Sequence, residues 1–359
     1  MSRPLSEQVV VITGASSGIG RASALEFARR GASVVLAARN EEALKRVASE
    51  IRRDGGKAQI VHTDVANPQE VERLASSAVE HFKRIDTWVN NAGFGYAGNV
   101  EDLSVEEIDR LIGVDLLGTI YGTRAAIARM KPGGGGTIIN VASVAGVRGV
   151  PLQSIYCAAK HGIKGFTEAV RLEQEREKSG VRLTLILPTA INTPFWDHAR
   201  SKTGKRLTAL KPIYQPEDVA DSIVFAADHP RRDIFVGGSG KMMDFLQRIS
   251  PALLDWQMLR LNDPVAEQQA DGPPETAREN AFEPADDDGP IHGEYDDVAR
   301  PPSLYTRTFE WYPALKPLAL GTAALGAFAL LRHLGGNGHS HPLRDAGKRA
   351  ADAARKHLG

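Results

Sequence analysis

Up to about residue 262, short apolar runs alternate with longer stretches in which apolar side chains recur every three or four positions. The short runs are apolar on both faces, which is typical of parallel strands that helices cover on both sides. This alternation predicts a doubly wound α/β domain with right-handed crossovers over residues 1–262. The predicted strands include residues 9–12, 33–36, 58–62, 87–89, 137–141, 182–187 and 234–236.

The pattern ends after residue 262. Residues 263–303 contain 12 acidic and 2 basic side chains, many prolines and few large apolar residues. Such a segment buries too little apolar surface to offset the entropy lost on ordering its backbone. We therefore predict a disordered acidic linker over residues 263–303.

An apolar segment, residues 304–334, follows the linker, and a basic tail, residues 335–359, ends the chain. The most apolar run of the apolar segment is residues 318–331, and a helix of this length is too short to cross the roughly 30 Å hydrocarbon core of a bilayer. A helix over residues 311–334 is long enough. Trp311 and Tyr312 would then lie at one interface. We interpret the segment as a helix that crosses or lies on a membrane; the alternative is a helix that packs on the first domain or on a second subunit.

Composition limits the class of partner. The chain has 44 basic and 44 acidic side chains, so no overall positive field would attract nucleic acid. The single cysteine, Cys157, excludes an intramolecular disulfide and fits a reducing compartment. The polar N-terminus lacks the apolar region of a secretory signal, so we expect a cytoplasmic first domain.

A glycine-rich loop lies between the first predicted strand and the first predicted helix. Glycines at these positions allow a tight turn and let a pyrophosphate approach the N–H groups of a helix N-terminus. The alternative is a tight strand–helix turn without a ligand. The candidate cofactor residues of this loop are Gly14, Ser16, Ser17, Gly18, Ile19 and Gly20.

The end of the second strand bears on the choice of cofactor. NAD-binding domains of this kind usually place an acidic residue there, where it accepts hydrogen bonds from the ribose hydroxyls. This chain has Arg39 instead, and a guanidinium matches a 2′-phosphate. We therefore predict that NADP(H) is preferred over NAD(H).

Ser143, Tyr156 and Lys160 are the candidate catalytic residues. Tyr156 and Lys160 are four positions apart, so on a helix they lie on the same face. An ammonium group near a phenol favours the phenolate and so lowers its pKa, which would suit acid–base catalysis. A Tyr-x-x-x-Lys pair on its own is common by chance.

Taken together and in order, the glycine loop, the run 90–93 (Asn-Asn-Ala-Gly), Ser143 and Tyr156-x-x-x-Lys160 resemble the short-chain dehydrogenase/reductase family over roughly residues 5–240. The resemblance implies a Rossmann fold, hydride transfer at nicotinamide C4 and a homo-oligomer. It implies that Tyr156 is the acid–base group, that Lys160 binds the nicotinamide ribose and lowers the Tyr156 pKa, and that Ser143 binds the substrate oxygen. The further cofactor contacts that it implies are Asp64, Val65, Asn91, Ala92, Gly93 and Thr193.

Two positions depart from the family pattern. Asp115 lies where the family usually has an asparagine that orders a proton-relaying water, and Thr189 lies where glycine is common. A buried aspartate near Lys160 would form an ion pair and alter the relay. We hypothesise that Asp115 keeps the relay role.

Residues 194–211 are predicted to form a lid over the substrate. Phe94, Tyr96, Phe195 and Trp196 would line an apolar pocket for a hydrophobic carbonyl compound or secondary alcohol, although these aromatic residues would equally serve as packing for the lid. The histidines show no metal-ligand spacing, and we expect no metal. The alternative to an enzyme is a catalytically weak, cofactor-binding regulatory or scaffolding protein on the same fold.

Overall fold

The computed structural model describes residues 3–260, 263–270, 280–285 and 287–315. Contacts divide the chain into two compact units, Met1–Trp311 and Tyr312–Gly359, and only residues 312–315 of the second are described. Most of the predicted apolar segment and all of the basic tail therefore lie outside the described residues.

A seven-stranded parallel sheet forms the centre of the first unit, with the strand order β12-β7-β6-β4-β1-β2-β3. This arrangement confirms the predicted doubly wound α/β fold. The strands of this sheet are β1 Val9–Thr13, β2 Ser33–Ala38, β3 Lys57–His62, β4 Thr87–Asn90, β6 Gly136–Val141, β7 Val181–Pro188 and β12 Asp233–Val236. The remaining short strands are β5 Tyr96–Ala97, β8 Ala190–Ile191, β9 Arg200–Ser201, β10 Arg206–Leu207, β11 Ile213–Tyr214 and β13 Gln269–Ala270.

Helices cover both faces of the sheet. The α-helices are α1 Gly18–Arg29, α2 Glu41–Arg53, α3 Pro68–Phe82, α4 Val105–Leu111, α5 Gly118–Met130, α6 Ser154–Arg176, α7 Phe195–His198, α8 Pro216–Asp228, α9 Gly238–Ile249, α10 Pro251–Arg260 and α11 Pro264–Glu267. A π-helical turn, Ile112–Leu117, joins α4 to α5. Along Val105–Gly133 the chain is long and apolar enough to cross a membrane, but half of its most apolar window is buried, as in a core helix of a globular domain.

Successive side chains of a strand point to opposite faces, and β1 shows how this builds two cores. Val10 and Ile12 pack with Phe27 of α1 on one face. Val9 and Val11 pack on the other face, in the cluster formed with α3, α5 and α6. Every residue of β1 is buried, which explains why the sequence pattern shows an unbroken apolar run.

A buried polar network joins the central strands to the helix that carries Tyr156 and Lys160. The Asn90 side chain of β4 donates to Asn140 Oδ1 of β6 at 2.8 Å, and Asn140 Nδ2 donates to Thr167 Oγ1 of α6 at 2.9 Å. Trp88 Nε1 also donates to Asn90 Oδ1 at 2.7 Å. Because buried amides that lose their partners are costly, this network fixes α6 relative to the strand ends.

The described part of the predicted linker belongs to the first unit and packs on the rest of it, in contrast to the predicted disorder. Ala281 and Ala285 are buried, and α11 and β13 are ordered, with β13 pairing with β10. Several backbone carbonyls of the segment accept hydrogen bonds from the rest of the unit, and amino-acid composition does not register such contacts. Trp311, expected at a membrane interface, stacks on Phe225 with ring centroids 4.6 Å apart.

We expect Gly122→Ala to lower the free energy of unfolding by about 1–3 kcal/mol because it overpacks the core. A Cβ at Gly122 would lie 2.0 Å from Asn90 Oδ1, inside the polar network. Gly165→Ala on α6 is the matched control, because nothing lies within 4 Å of its Cβ. There, alanine should be neutral or stabilise the helix by up to about 1 kcal/mol. Urea unfolding of both variants checks this, and equal stability of the two would contradict the network's role.

Candidate active site

The glycine-rich loop occupies the carboxyl end of β1 in a conformation that requires glycine. Gly14 and Gly18 have φ angles of +66° and +51°. A Cβ at Gly14 would lie 2.9 Å from Ala92 Cα, and one at Gly20 would lie 2.0 Å from Gly14 O. The backbone is therefore closely packed around a groove at the N-terminus of α1, a geometry that suits a phosphate group.

This groove is a cavity into which several strand ends contribute residues. The side chain of Ser17, the N-cap of α1, makes no capping hydrogen bond, so its hydroxyl remains able to contact a phosphate oxygen. Gly20 and Asp115 are not among the residues that line this groove. The predicted cofactor residues that line the groove are Gly14, Ser16, Ser17, Gly18, Ile19, Arg39, Asp64, Val65, Asn91, Ala92, Gly93 and Thr193. The glycine loop, the Ser17 hydroxyl and the strand-end residues of this groove fit a dinucleotide.

Arg39 lies at the end of β2, as predicted, with its guanidinium turned towards the groove. Its Nη1 donates to Phe282 O at 2.9 Å and to Ala281 O at 3.3 Å, and its Nη2 donates to Asn280 O. Burial lowers the pKa of Arg39, and the charge of nearby Arg110 lowers it further. All three acceptors are neutral carbonyl groups that hold the guanidinium in place, and the carboxylates of Asp64 and Glu283 act on its charge in the opposite direction to burial and Arg110.

An ion pair fixes the residue after β3, and hydrogen bonds fix the residue after β4. Asp64 Oδ2 pairs with Arg110 Nη1 at 2.8 Å, a partner that the sequence did not reveal. Asn91 is tied to β1, because its backbone N–H donates to Thr13 Oγ1 and its side chain donates to Thr13 O, both at 3.0 Å. The carboxyl ends of β1, β3 and β4 therefore hold a common groove.

A second cavity of about 300 Å³ contains the candidate catalytic residues Ser143, Tyr156 and Lys160. Ser143 Oγ accepts the Ala145 N–H at 3.1 Å, and the Ser143 side chain is also hydrogen-bonded to Tyr156, which lowers the Tyr156 pKa. Lys160 Nζ lies 5.3 Å from the centre of the Tyr156 ring. The two cavities adjoin, because they share the wall residues Ile19, Asn91, Gly93, Thr193 and Phe195.

Asp115 lies within the π-helical turn and is fully buried. Its Oδ2 is 3.1 Å from Lys160 Nζ, and its Oδ1 accepts the Phe94 N–H at 3.0 Å. A Cβ at Gly93 would lie 3.0 Å from Asp115 Oδ2, so a larger residue would crowd this approach. The expected Asp115–Lys160 ion pair is therefore present, and it joins α6 to the loop after β4.

The pair changes the electrostatics of Tyr156. Burial raises the Tyr156 pKa; Lys160 lowers it and Asp115 raises it again, and the net direction is upward. Burial acts to lower the Lys160 pKa, but Asp115 and then Tyr156 raise it above its ordinary value. Lys160 thus acts on Tyr156 in the predicted direction, but burial outweighs its effect, and Asp115 offsets part of it.

The predicted aromatic pocket is divided between the two cavities. Phe195 and Trp196 line the catalytic cavity, and the rings of Phe195 and Tyr156 are 5.5 Å apart. Phe94 lines the cofactor groove instead, and Tyr96 is buried beside it, with ring centroids 5.3 Å apart. Leu210 of the predicted lid also lines the cavity, and the apolar wall residues that sequence reasoning missed are Val144, Val150, Pro212 and Met243.

Cys157 and Thr189 each make a hydrogen bond that ties neighbouring parts of the fold together. Cys157 is buried, and its sulfur accepts the Val150 N–H at 3.3 Å. Thr189 lines the catalytic cavity, and its hydroxyl donates to Val236 O of β12 at 3.1 Å. The threonine thus ties the end of β7 to β12 where the family commonly has glycine.

Comparisons with known proteins agree with this geometry. The family model described as short chain dehydrogenase matches residues 8–204, more than half of the chain. The chain is 42% identical over 282 residues to the uncharacterized oxidoreductase YxnA of Bacillus subtilis (strain 168), covering 78% of this chain and 79% of that protein. It is 36% identical to a cyclohexanol dehydrogenase of Acinetobacter sp. (strain SE19) over 68% of this chain and 96% of that protein.

A solved structure shows a similar fold. It is an alcohol dehydrogenase from the archaeon Thermococcus sibiricus complexed with 5-hydroxy-NADP. The TM-score is 0.56 and the sequences are 29% identical, over 64% of this chain and 95% of that one.

Proposed function

This chain belongs to the short-chain dehydrogenase/reductase family, and we propose that it is an NADP(H)-dependent oxidoreductase acting on an apolar carbonyl compound or secondary alcohol. The observation that carries the proposal is the apolar cavity in which Ser143, Tyr156 and Lys160 meet, directly beside the cofactor groove. Family membership supports a nicotinamide-dependent dehydrogenase or reductase.

In the proposed mechanism Tyr156 transfers the proton. When bound, the nicotinamide would supply the hydride for reduction or accept it during oxidation. In reduction, the Tyr156 hydroxyl donates its proton to the carbonyl oxygen as that oxygen gains negative charge. The Ser143 O–H, which is hydrogen-bonded to Tyr156 in the structure, would turn to donate to the same oxygen and so stabilise this charge.

Lys160 and Asp115 would support proton transfer by Tyr156. The Lys160 ammonium stabilises the phenolate that remains after proton donation, and Asp115 keeps Lys160 protonated through the 3.1 Å ion pair. The proton lost by Tyr156 is replaced from solvent by way of Lys160. We propose that Asp115 is a positioning residue in this proton relay. Its carboxylate pairs with Lys160 and accepts a hydrogen bond from the Phe94 N–H, and both partners lie beside the site.

Arg39 supports the choice of NADP(H). Arg39 lines the groove and donates to neutral carbonyl acceptors, and the nearby carboxylates of Asp64 and Glu283 offset part of its charge. A guanidinium in this position suits a 2′-phosphate. The structural neighbour complexed with 5-hydroxy-NADP is consistent with this choice.

The cavity wall supports an apolar substrate. Trp196, Leu210 and Met243 present apolar surface to the space beside Tyr156. Such a wall offers few hydrogen bonds to a polar substrate, and leaving a substrate's polar groups without partners is costly. The resemblance to a cyclohexanol dehydrogenase agrees with a small apolar alcohol or ketone.

Three further proposals concern the location, the oligomeric state and the membrane association of the protein. The first unit is cytoplasmic, by virtue of its family and its single thiol. It forms a homo-oligomer, as its family resemblance implies. Membrane association through residues 311–334 depends on residues that lie almost entirely outside the described part of the chain.

We expect Tyr156→Phe to lower the turnover number by about 10²- to 10⁴-fold, the usual contribution of a general acid–base group. The measurement is NADPH oxidation with a panel of apolar ketones and aldehydes. Tyr121→Phe on α5 is the control, because Tyr121 borders neither cavity and should leave turnover unchanged. Equal turnover by Tyr156→Phe and the wild type would refute the assigned mechanism.

We expect Asp115→Asn to shift the pH dependence of alcohol oxidation to lower pH. Tyr156 accepts a proton only when it is ionised, and Asp115 raises the Tyr156 pKa. Removing this negative charge lowers the pKa, so the rising limb of kcat/KM against pH moves down. Asp86→Asn, at the amino end of β4, is the control and should leave the profile in place. A profile that stays in place or moves up in Asp115→Asn would contradict this account, and full activity in Asp115→Ala would exclude the relay role.

We expect Arg39→Ala to weaken NADPH binding by about 10- to 150-fold, the equivalent of losing a charged hydrogen bond worth about 1.5–3 kcal/mol. NADH binding should change little, because NADH lacks the 2′-phosphate. Fluorescence titration measures both dissociation constants. Arg53→Ala, exposed on α2, is the control. Tighter binding of NADH than NADPH by the wild type would overturn the cofactor assignment.

A further inference from the structure

Part of the acidic segment lies over the cofactor groove. Residues 280–285 and 287–290, called here the roof segment, contribute Asn280, Pro284, Ala285 and Asp287 to the lining of this cavity. The floor of the same cavity is the glycine loop and the ends of β2, β3 and β4. A space thus remains between roof and floor after the segment has packed.

The roof segment docks on the glycine loop itself. Pro290 O accepts the Gly18 N–H at 2.9 Å, and Gly289 O accepts from Arg21 Nη1 at 2.7 Å. Gly289 has a φ of +66°, and a Cβ there would lie 2.2 Å from Ser16 O. This close approach requires glycine, both for its backbone conformation and for the lack of space.

The roof segment also positions the basic residues of the groove. Its carbonyls at 280, 281 and 282 accept from Arg39, and Ala281 O also accepts from Arg110 Nε at 2.7 Å. Ala285 O accepts from Asn40 Nδ2 at 3.0 Å. A long arginine side chain that is already held in place loses less conformational entropy when it binds an anion.

An acidic segment above an anionic cofactor would be repulsive if its carboxylates faced the phosphates. Instead, both oxygens of Asp287 are engaged: Oδ2 lies 2.6 Å from His198 Nε2, and Oδ1 accepts the Gly289 N–H at 2.9 Å. Asp288 is almost fully exposed, 3.5 Å from Arg46. The hydrogen-bond acceptors that the segment offers to Arg39 are backbone carbonyls, and the Glu283 carboxylate also acts on the Arg39 charge.

We propose that the roof segment is part of the cofactor site: it encloses the adenosine half of the dinucleotide and positions Arg39 for the 2′-phosphate. Binding and release of the cofactor therefore require this segment to open. The inference rests on the proposed use of NADP(H). The match to YxnA covers 78% of this chain, more than residues 1–262 contain, and so extends beyond the first predicted domain.

Gly289→Val in the full chain tests the proposal, because the added side chain cannot dock against Ser16. The control is Gly55→Val, which has a similar φ of +84° but nothing within 4 Å of its Cβ. Stopped-flow and equilibrium fluorescence measure cofactor binding and release. We expect Gly289→Val to raise the dissociation constant and release rate of NADPH about tenfold, the loss of roughly one net hydrogen bond. NADH should weaken less, and Gly55→Val should bind both cofactors as the wild type does.

Hydrogen exchange on the wild type gives a second readout that needs no variant. We expect saturating NADPH to slow exchange of the Gly289 amide, because the bound dinucleotide holds the roof closed. Unchanged or faster exchange overturns the proposal, and so does unchanged or tighter NADPH binding by Gly289→Val, since tighter binding would make the segment a competitor of the cofactor. If the wild type binds neither NADPH nor NADH, the proposed function fails instead.

Discussion

Parallel pairing of the seven central strands is the constraint on which the rest of the structure depends. Parallel strands need a crossover after each strand, so helices must cover both faces and all carboxyl ends meet at one edge. That edge brings the glycine loop after β1, Arg39 after β2, Asp64 after β3 and Ser143 after β6 together from positions far apart in the chain. Binding at this edge is the general rule for open α/β sheets. The fold therefore fixes where chemistry is possible, and the side chains decide which chemistry occurs.

Within that edge, the buried Asp115–Lys160 pair balances two opposing effects. Removing two charges from water is costly, and their attraction repays this only when further hydrogen bonds satisfy the carboxylate. The Phe94 N–H supplies such a bond, and Gly93 allows the approach. The outcome keeps Lys160 charged in an apolar site, but it also weakens the pull of Lys160 on Tyr156. An asparagine at position 115 would shift this balance, because it accepts a hydrogen bond without adding a charge.

The elements that the sequence predicts well are those whose signal is local. The unbroken apolar run of β1 and the i, i+4 spacing of Tyr156 and Lys160 depend only on neighbouring residues, and the structure places them as expected. The apolar wall residues Pro212 and Met243 carry no local signal, because they reach the cavity from separate loops and helices. The Asp115 ion pair could be expected only from family resemblance, and its bond to the Phe94 N–H depends on the π-helical turn, which no local pattern revealed.

The acidic segment shows a different limit of reasoning from composition. Its low apolar content predicts disorder when side-chain burial is the only source of stability. The described residues have a further source of stability, because Arg21, Arg39 and Arg110 donate to backbone carbonyls that every sequence possesses. Side chains of the segment, such as Tyr295 and Asp296, add contacts of their own. Buried guanidinium groups need hydrogen-bond acceptors, and the backbone carbonyls of the segment supply them. A segment that would be disordered in isolation is thus ordered here, because the surface beneath it carries arginine N–H groups that need hydrogen-bond acceptors. In this protein, that surface is the cofactor groove.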